Sequence, residues 1–145
     1  VGNHPAPLEA SPGTSGFVPS RCAEVAYARH MEVLHLAHRA DWDRALRAGR
    51  YRISTRGRTL DEVGFIHAAL RDQISAVAEA IYADDVAELC VLVMDDARIR
   101  EADVRMVFED GGDGTLYPHI YGPIDPAWVT EVLPAHFDED RRLAF

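Results

Sequence analysis

The chain contains no lysine, because all fifteen of its basic residues are arginine. A chain without lysine cannot form a Schiff base on a side-chain amine or use lysine as a general base. Its two cysteines, Cys22 and Cys90, are far apart, which excludes a disulfide framework and a cysteine-based metal motif. Cys90 lies within an apolar run, where a cysteine behaves as a small hydrophobic residue, so we expect it to be inert.

Long hydrophobic runs and an excess of positive charge are also missing. No apolar run approaches the roughly 18–20 residues that a membrane-spanning helix needs, and no basic-then-apolar signal pattern precedes the domain. We therefore expect a cytoplasmic protein with no membrane partner. The formal net charge of −9 disfavours binding to long nucleic acid, although a small anion held locally by arginine stays possible. The oligomeric state is left open.

The 145 residues are a single-domain length and divide into three parts. Residues 1–30 contain four of the eight prolines and no apolar periodicity, which predicts a flexible N-terminal arm or extension. Residues 31–136 are predicted to form one globular domain. Residues 137–145 are rich in acidic residues and are predicted to be a frayed acidic tail.

Apolar patterns within the domain predict two main helices and about six strands, which favours the α+β class. The clearest helix is predicted over residues 74–82, where apolar residues recur at helical spacing. The first helix is expected to begin near Asp41 as its N-cap. Strands are predicted at Val33–Leu36, Gly64–His67, Glu88–Met94, Val104–Phe108, Tyr117–Tyr121 and Trp128–Leu133, with a hairpin turn at Gly111–Gly114. Tyr51–Thr55 is a candidate for a further extended stretch.

Three of the seven histidines, His35, His67 and His119, each interrupt an apolar strand-like segment. A half-buried imidazole must satisfy its ring nitrogens, so each of the three is by itself explained by a hydrogen bond to backbone. Three such residues at strand ends in one small domain indicate a cleft instead. Tyr117 and Tyr121 would add ring faces and hydroxyl groups to that cleft.

Two uses of this histidine trio remain open. One is a divalent metal site completed by Glu109 or Asp110, but no two histidines have the close spacing of a metal motif. The preferred one is orientation of a polar small molecule by hydrogen bonds. Glu109 follows an apolar strand and precedes a glycine-rich turn, where a carboxylate either stabilises a developing cation or is an ordinary solvated acid.

Four segments in this order resemble a bacterial family known as domain of unknown function 952. They are Val33–Leu36 followed by Asp41-Trp42, Gly64–His67, Val107–Glu109, and Leu116-Tyr117-Pro118-His119-Ile120-Tyr121-Gly122-Pro123, and together they cover roughly 100 residues. The resemblance implies an ADP-ribosyltransferase-like fold, which is a bent, split β-sheet with flanking helices.

The same resemblance implies roles for particular residues. His35 falls where transferases of this fold hold the ribose of NAD, and Gly64–His67 falls near the strand whose aromatic residue stacks on nicotinamide. Glu109 or His119 would then stand at the catalytic position. The implied cofactor is NAD, but whether the protein is an enzyme stays open.

Three hypotheses follow. The first is a binding protein that holds a small polar ligand, such as NAD or a nucleotide, through His35, His67, Tyr117 and Tyr121. The second is an NAD-dependent ADP-ribosyl or group-transfer enzyme with Glu109 and His119 as catalytic residues. The third is a non-enzymatic protein-interaction domain in which the histidines are structural.

Overall fold

The computed structural model describes residues 30–145, and its longest strands form a four-stranded antiparallel sheet. In spatial order these strands are β1 (Glu32–His38), β5 (Leu89–Asp95), β8 (Val129–Phe137) and β9 (Leu143–Ala144). Strand β5 lies between two neighbours, and all of its residues except the last are buried. Its continuous apolar sequence follows from this position, because both faces of the strand are covered.

A second, three-stranded antiparallel sheet lies beside the first. Its strands, in spatial order, are β4 (Ile66–His67), β7 (Leu116–Ile120) and β6 (Met106–Asp110), and a small hairpin is formed by β2 (Ile53–Thr55) and β3 (Arg58–Thr59). Leu34 of β1 and Ala69, just after β4, exchange two backbone hydrogen bonds of 2.8 Å. This bridge holds the start of the second sheet against the edge of the first.

Four α-helices connect these strands in the described part of the chain. They are α1 (Arg39–Ala48), α2 (Leu60–Val63), α3 (Ile74–Tyr82) and α4 (Asp96–Glu101), and a 3-10 turn spans Pro126–Trp128. Helix α1 ends at Gly49, whose φ of 80° lies in the left-handed region that glycine adopts without strain. Helix α3 packs on β1 and β9 through its buried side chains, which are Ile74, Ala78 and Tyr82.

Alternating side chains of β5 supply two separate cores. Cys90, Leu92 and Met94 pack in the cluster that includes Trp42, Tyr51 and Trp128, whereas Leu89, Val91 and Val93 pack in the cluster that includes Ile74 and Tyr82. This division follows the two-residue period of a strand. Burial raises the pKa of the Cys90 thiol to about 11, so this side chain is not a nucleophile at neutral pH.

The α+β class, the helix at residues 74–82 and the hairpin at Gly111–Gly114 are confirmed. The predicted numbers of elements are too low, since residues 30–145 hold nine strands and four α-helices. The additional elements are short, and a two- to six-residue element carries little periodicity. Helix α1 begins at Arg39, two residues before the predicted cap, and Asp41 lies in its first turn.

The predicted frayed tail at residues 137–145 requires correction. Leu143 is buried in a core cluster and pairs with Phe137 as part of β9. The turn before it is closed by Asp138, whose carboxylate accepts hydrogen bonds from the backbone N–H groups of Asp140 and Arg142 at 2.9 Å. The predicted arm covers residues 1–30, all of which except His30 fall outside the described residues. No helix in residues 30–145 is both long and apolar enough to cross a membrane.

Candidate functional site

A cleft of about 460 Å³ opens between α3 and one face of the three-stranded sheet. The sheet side of the cleft is polar and aromatic, whereas the helix side is made of small aliphatic groups. The lining residues are Phe65, His67, Ala68, Ala76, Val77, Ala80, Ile81, Asp110, Gly111, Asp113, Tyr117 and His119. Both histidines of the sheet side thus lie at one surface.

Strand register explains why these side chains meet. His67 of β4 and His119 of β7 are directly opposite each other, so their side chains leave the sheet on the same face. Tyr117 and Tyr121 lie two residues on either side of His119 and therefore share that face. The His67 and His119 rings pack edge to face with centroids 5.4 Å apart.

The hydroxyl group of Ser54 determines the orientation of His67. Ser54 is completely buried, and its Oγ donates a 2.5 Å hydrogen bond to the backbone oxygen of Phe65. Because its single proton is used there, the same oxygen accepts from His67 Nδ1 at 2.9 Å. His67 therefore carries its proton on Nδ1, and Nε2 is a hydrogen-bond acceptor. Burial and the neighbouring His119 lower the pKa of His67, so the ring is neutral at physiological pH.

His119 is oriented in the same way by a carboxylate. Its Nδ1 lies 2.7 Å from Glu109 Oε2, which also accepts a 2.5 Å hydrogen bond from the Tyr121 hydroxyl. These two bonds lower the pKa of Glu109, so the carboxylate is ionised and His119 Nδ1 is the donor. Phe65 stacks on the His119 ring at 4.0 Å between centroids and 14° between planes. His119 Nε2 is thereby left as an acceptor.

The Nε2 atoms of His67 and His119 have no hydrogen-bond partner among the described residues. Yet no buried side-chain nitrogen or oxygen in residues 30–145 is without a partner. Since both rings line the cleft, these two nitrogens are available to a molecule bound in it. The arrangement resembles the way proteins prepare histidines for ligands, with Nδ1 held from behind and Nε2 presented.

His35 has a different environment. It is 3% exposed, its Nδ1 donates to the backbone oxygen of His67 at 2.6 Å, and its Nε2 accepts from the Tyr51 hydroxyl at 2.9 Å. Burial lowers the pKa of His35 to about 4. Both ring nitrogens are used inside the protein, so His35 supports the backbone of β4 and offers nothing to the cleft. It borders a water-sized cavity of about 30 Å³ between β1 and α3.

The rim of the cleft is formed by the β6–β7 turn. Asp110 closes this turn by accepting hydrogen bonds from the backbone N–H groups of Gly112 and Gly114 at 2.7 and 3.0 Å. Asp113 accepts from Thr115 N at 2.9 Å and from the Tyr117 hydroxyl at 3.1 Å, and these bonds lower its pKa. The rim therefore carries two carboxylate charges beside a fixed tyrosine ring.

The structure brings together some of the predicted site residues and separates others. His67, Tyr117 and His119 line the cleft. Glu109 and Tyr121 lie on the same sheet face beside His119 but are not among the residues that line the cleft, and the Arg105 guanidinium lies over the Tyr121 ring at 4.8 Å. His35 lies beneath β4. Glu109 is linked to the cleft by its hydrogen bond to His119.

The alternative metal site is not formed by the histidine trio. Within residues 30–145, the one group of three ligand atoms that converges is His30, Asp95 and Asp96 at the start of α4. Asp96 is already engaged by the backbone N–H of Met31 at 2.8 Å and by Arg100 at 3.1 Å, and Asp95 caps α4. These bonds account for the cluster as part of the helix terminus.

Two residues that shape the site were not predicted. Ser54 is a single hydroxyl within a short strand, and no sequence pattern marks it. Phe65 belongs to the segment Gly64–His67, and only the resemblance to transferases pointed to an aromatic residue there. Its stacking on His119 depends on strand pairing between β4 and β7, which single-sequence patterns do not reveal.

Comparison with known proteins places the chain in a family. A profile of the family described as "Protein of unknown function (DUF952)" matches residues 36–132. The chain belongs to this family. The predicted resemblance to DUF952 is therefore confirmed, whereas the ADP-ribosyltransferase-like fold stays a prediction. No curated protein matches the chain.

A solved structure shares the fold of this DUF952 member. The crystal structure of protein CC0527 from Caulobacter crescentus matches with a TM-score of 0.66 and 24% identity, over 78% of this chain and 93% of that one. The solution NMR structure of CC0527 matches with a TM-score of 0.62 and 24% identity, over 77% and 90% of the two chains. At this identity the likeness shows the fold alone.

Proposed function

We propose that this protein binds a small polar molecule in the cleft between α3 and the three-stranded sheet. The observation that carries the proposal is the matched pair of imidazoles, in which Ser54 and Glu109 hold the Nδ1 atoms of His67 and His119. Each ring then turns Nε2 to the cleft as an acceptor. Two acceptors fixed in position on adjacent strands are a means of orienting a ligand.

The size and composition of the cleft support this proposal. A volume of about 460 Å³ falls within the range of roughly 300–1,000 Å³ that is usual for small-molecule sites. Its walls are mostly apolar with a few convergent polar groups, which is also typical of such sites. A protein-interaction domain with purely structural histidines does not require this concave surface, so we favour the binding protein over that alternative.

The neutral state of His67 strengthens the proposal. Burial and the proximity of His119 lower the pKa of His67, so this ring keeps its acceptor at Nε2 throughout the neutral range. A bound N–H or O–H group would then donate a hydrogen bond to His67 Nε2 without the ring first losing a proton. Binding should weaken when acid protonates His67.

Glu109 favours a second candidate, the NAD-dependent group-transfer enzyme on an ADP-ribosyltransferase-like scaffold. Its carboxylate is ionised and is held by His119 and Tyr121 beside the cleft. A positive charge that develops on a substrate or on His119 would be balanced by this carboxylate, which is electrostatic stabilisation of a transition state. Glu109 and His119 would be the residues that lower the barrier.

The binding test is a thermal melt of the full chain with NAD, ADP-ribose, nicotinamide, adenine or cytosine. A ligand at about 100 times its dissociation constant stabilises a protein by roughly 2.7 kcal/mol, which raises the midpoint by several degrees. His119→Ala should abolish the shift, and His136→Ala, an exposed histidine on β8, should retain it. A shift that survives in His119→Ala would contradict the proposed site.

The two candidates differ in turnover. If the protein only binds, NAD incubated with it stays intact, whereas a transferase releases nicotinamide. Release that disappears in Glu109→Gln, with NAD-induced stabilisation retained, would support the enzyme. Intact NAD after prolonged incubation with a protein that binds it would support the binding protein.

A further inference from the structure

The acceptor pair restricts the chemistry of what the cleft binds. With Nδ1 of both rings engaged, an imidazole in its neutral form can only accept hydrogen bonds at Nε2. A bound molecule must therefore bring its own protons to both rings. A carboxylate or a phosphodiester, which has only hydrogen-bond acceptors at neutral pH, would bring its oxygen lone pairs against the lone pairs of the two Nε2 atoms.

The walls favour a flat group. Phe65 stacks on His119 on the sheet side, and the helix side presents Ala76 and Ala80 together with Val77 and Ile81. Because alanine side chains are short, the two alanines, one turn apart, leave space between α3 and the sheet. A planar ring or planar amide-like group would contact both walls while its edge points to the imidazoles.

The charge at the rim indicates the sign of the ligand. Asp110 and Asp113 both line the cleft, and no arginine is among its described lining residues. Three arginines near the cleft are engaged elsewhere: Arg56, which bonds to the backbone oxygen of Ile81, pairs with Asp84 at 2.6 Å, Arg58 pairs with Glu62 at 3.7 Å, and Arg105 lies over the Tyr121 ring at 4.8 Å. An anion would be desolvated next to two carboxylates without a compensating cation, which is strongly unfavourable.

We propose that the cleft selects a planar, uncharged or cationic group with paired N–H donors, such as an amidine, a primary amide or an amino-substituted heterocycle, and excludes phosphates and carboxylates. This inference rests on the proposed binding function and specifies the ligand class of the same cleft. The donors would meet His67 and His119 Nε2, and a positive charge would be favoured by Asp110 and Asp113.

Three probes of nearly identical shape test this selection. Benzamidine is a cation with paired N–H donors, benzamide is neutral with one donor group, and benzoate is an anion with acceptors alone. Each is titrated into the isotope-labelled full chain near neutral pH, and amide shifts of Ala76, Ala80 and His119 report binding. We expect benzamidine to bind most tightly, benzamide next, and benzoate at least about tenfold more weakly than benzamidine.

A matched pair of variants tests the role of the rim charge. Asp113→Asn should weaken benzamidine by about threefold, the size expected for an exposed charge pair, and should leave benzamide unchanged. The control Asp103→Asn makes the same change at an exposed residue outside the cleft, where a φ of 57° suits asparagine. It should leave the affinity for both probes unchanged. Equal effects of the two variants would contradict a role for the rim.

The outcomes separate this inference from the proposed function. If benzoate, pyrophosphate or ADP-ribose shifts the cleft resonances at lower concentration than benzamidine, the ligand class is wrong and the binding function stands. If neither these anions nor the donor probes move the resonances of His67, His119 or α3, the binding function and the inference both fail. Saturable shifts with benzamidine that vanish in His119→Ala support both.

Discussion

The four-stranded and three-stranded sheets have similar strand pairing but different roles. In the first sheet, β5 is covered on both faces and six of its seven residues are buried apolar groups. In the second, β7 has one face toward the core and the other toward the cleft, where it carries Tyr117 and His119. The first sheet contributes to both cores from its two faces, whereas the second contributes one face to a core and presents hydrogen-bonding groups at a concave surface on the other.

The histidines show the same contrast at the level of single residues. His35 stands in the first sheet, and its two ring nitrogens are used by His67 O and Tyr51. His67 and His119 stand in the second sheet and use only Nδ1 within residues 30–145. Thus one imidazole is a buried connector between the sheets, and two others are presented to the cleft. A histidine is therefore structural when both of its ring nitrogens are hydrogen-bonded within the protein, and it belongs to the candidate site when Nε2 has no partner within the described residues.

The largest contrast should be in stability. Leu92→Ala removes a completely buried side chain from the centre of β5 and should cost about 2–5 kcal/mol of unfolding free energy. The matched variant Leu116→Ala, at a residue that is 54% exposed on β7, should cost well under about 1 kcal/mol. Chemical denaturation of both variants measures the difference, and equal losses would contradict the assignment of the core to the first sheet.

As the pH falls, the first loss of stability should come from His35, which connects the two sheets. The pKa of His35 falls from an ordinary 6.5 to about 4 on folding, so the unfolded chain binds its proton more readily. Stability is therefore complete above about pH 6.5 and declines as pH falls toward about 4, by roughly 3 kcal/mol at 1.36 kcal/mol per pKa unit. The lowered pKa of His67 acts in the same direction.

Denaturation midpoints at about pH 7, 5.5 and 4.5 measure this effect before most carboxylates titrate. The carboxylates whose pKa is lowered in the folded protein, including Glu109 and Asp113, add their loss at lower pH. Stability that stays flat from about pH 7 to 4.5 would show that His35 accepts a proton in the folded state, contrary to its burial.

Removing one hydroxyl should distinguish the two kinds of histidine support. Tyr51→Phe leaves His35 Nε2 buried without a donor, at a cost of about 1–3 kcal/mol. Tyr121→Phe removes one of two donors to Glu109, a half-exposed carboxylate that water can still reach, and should lose less stability. If denaturant unfolding shows a larger loss of stability in Tyr121→Phe than in Tyr51→Phe, the structural role of His35 and the site role of His119 would be contradicted.

The smallest effect on stability is expected from a change aimed at the cleft rim. A Cβ added at Gly111 would lie 2.5 Å from two carbons of the Tyr117 ring, so Gly111→Ala must displace that ring. Ligand affinity should fall several-fold while stability changes by less than about 1 kcal/mol. Benzamidine titration of Gly111→Ala and of the neighbouring control Leu116→Ala measures this, and unchanged affinity in both would remove Tyr117 from the site.

Sequence patterns predicted those parts of the fold that depend on a periodic or continuous apolar signal. Helix α3 repeats its apolar residues at helical spacing, and β5 is an uninterrupted apolar run. Strand β9 escaped prediction because it has two residues in an acidic segment, and it forms only when Leu143 enters a core made by α3 and β8. Short elements of this kind depend on tertiary contacts.

The candidate site was predicted in position more than in detail. His67 and His119 were grouped because each interrupts an apolar segment, and Tyr117 was added for its ring face and hydroxyl group. The structure places all three in one cleft. The same rule included His35, since a pattern cannot tell which ring nitrogens find partners inside the protein. Ser54 escaped prediction because its effect on His67 depends on a hydrogen bond across thirteen residues of chain.

The most direct test of the account is the tautomeric state of the histidines. Long-range proton–nitrogen NMR spectra of the ring-labelled chain above about pH 7.5 distinguish Nδ1–H from Nε2–H imidazoles. We predict Nδ1–H for His67 and His119, with the His67 signal alone changing in Ser54→Ala and the His119 signal alone changing in Glu109→Gln. An Nε2–H tautomer at either residue in the unmodified protein would contradict the acceptor pair on which the proposed function rests.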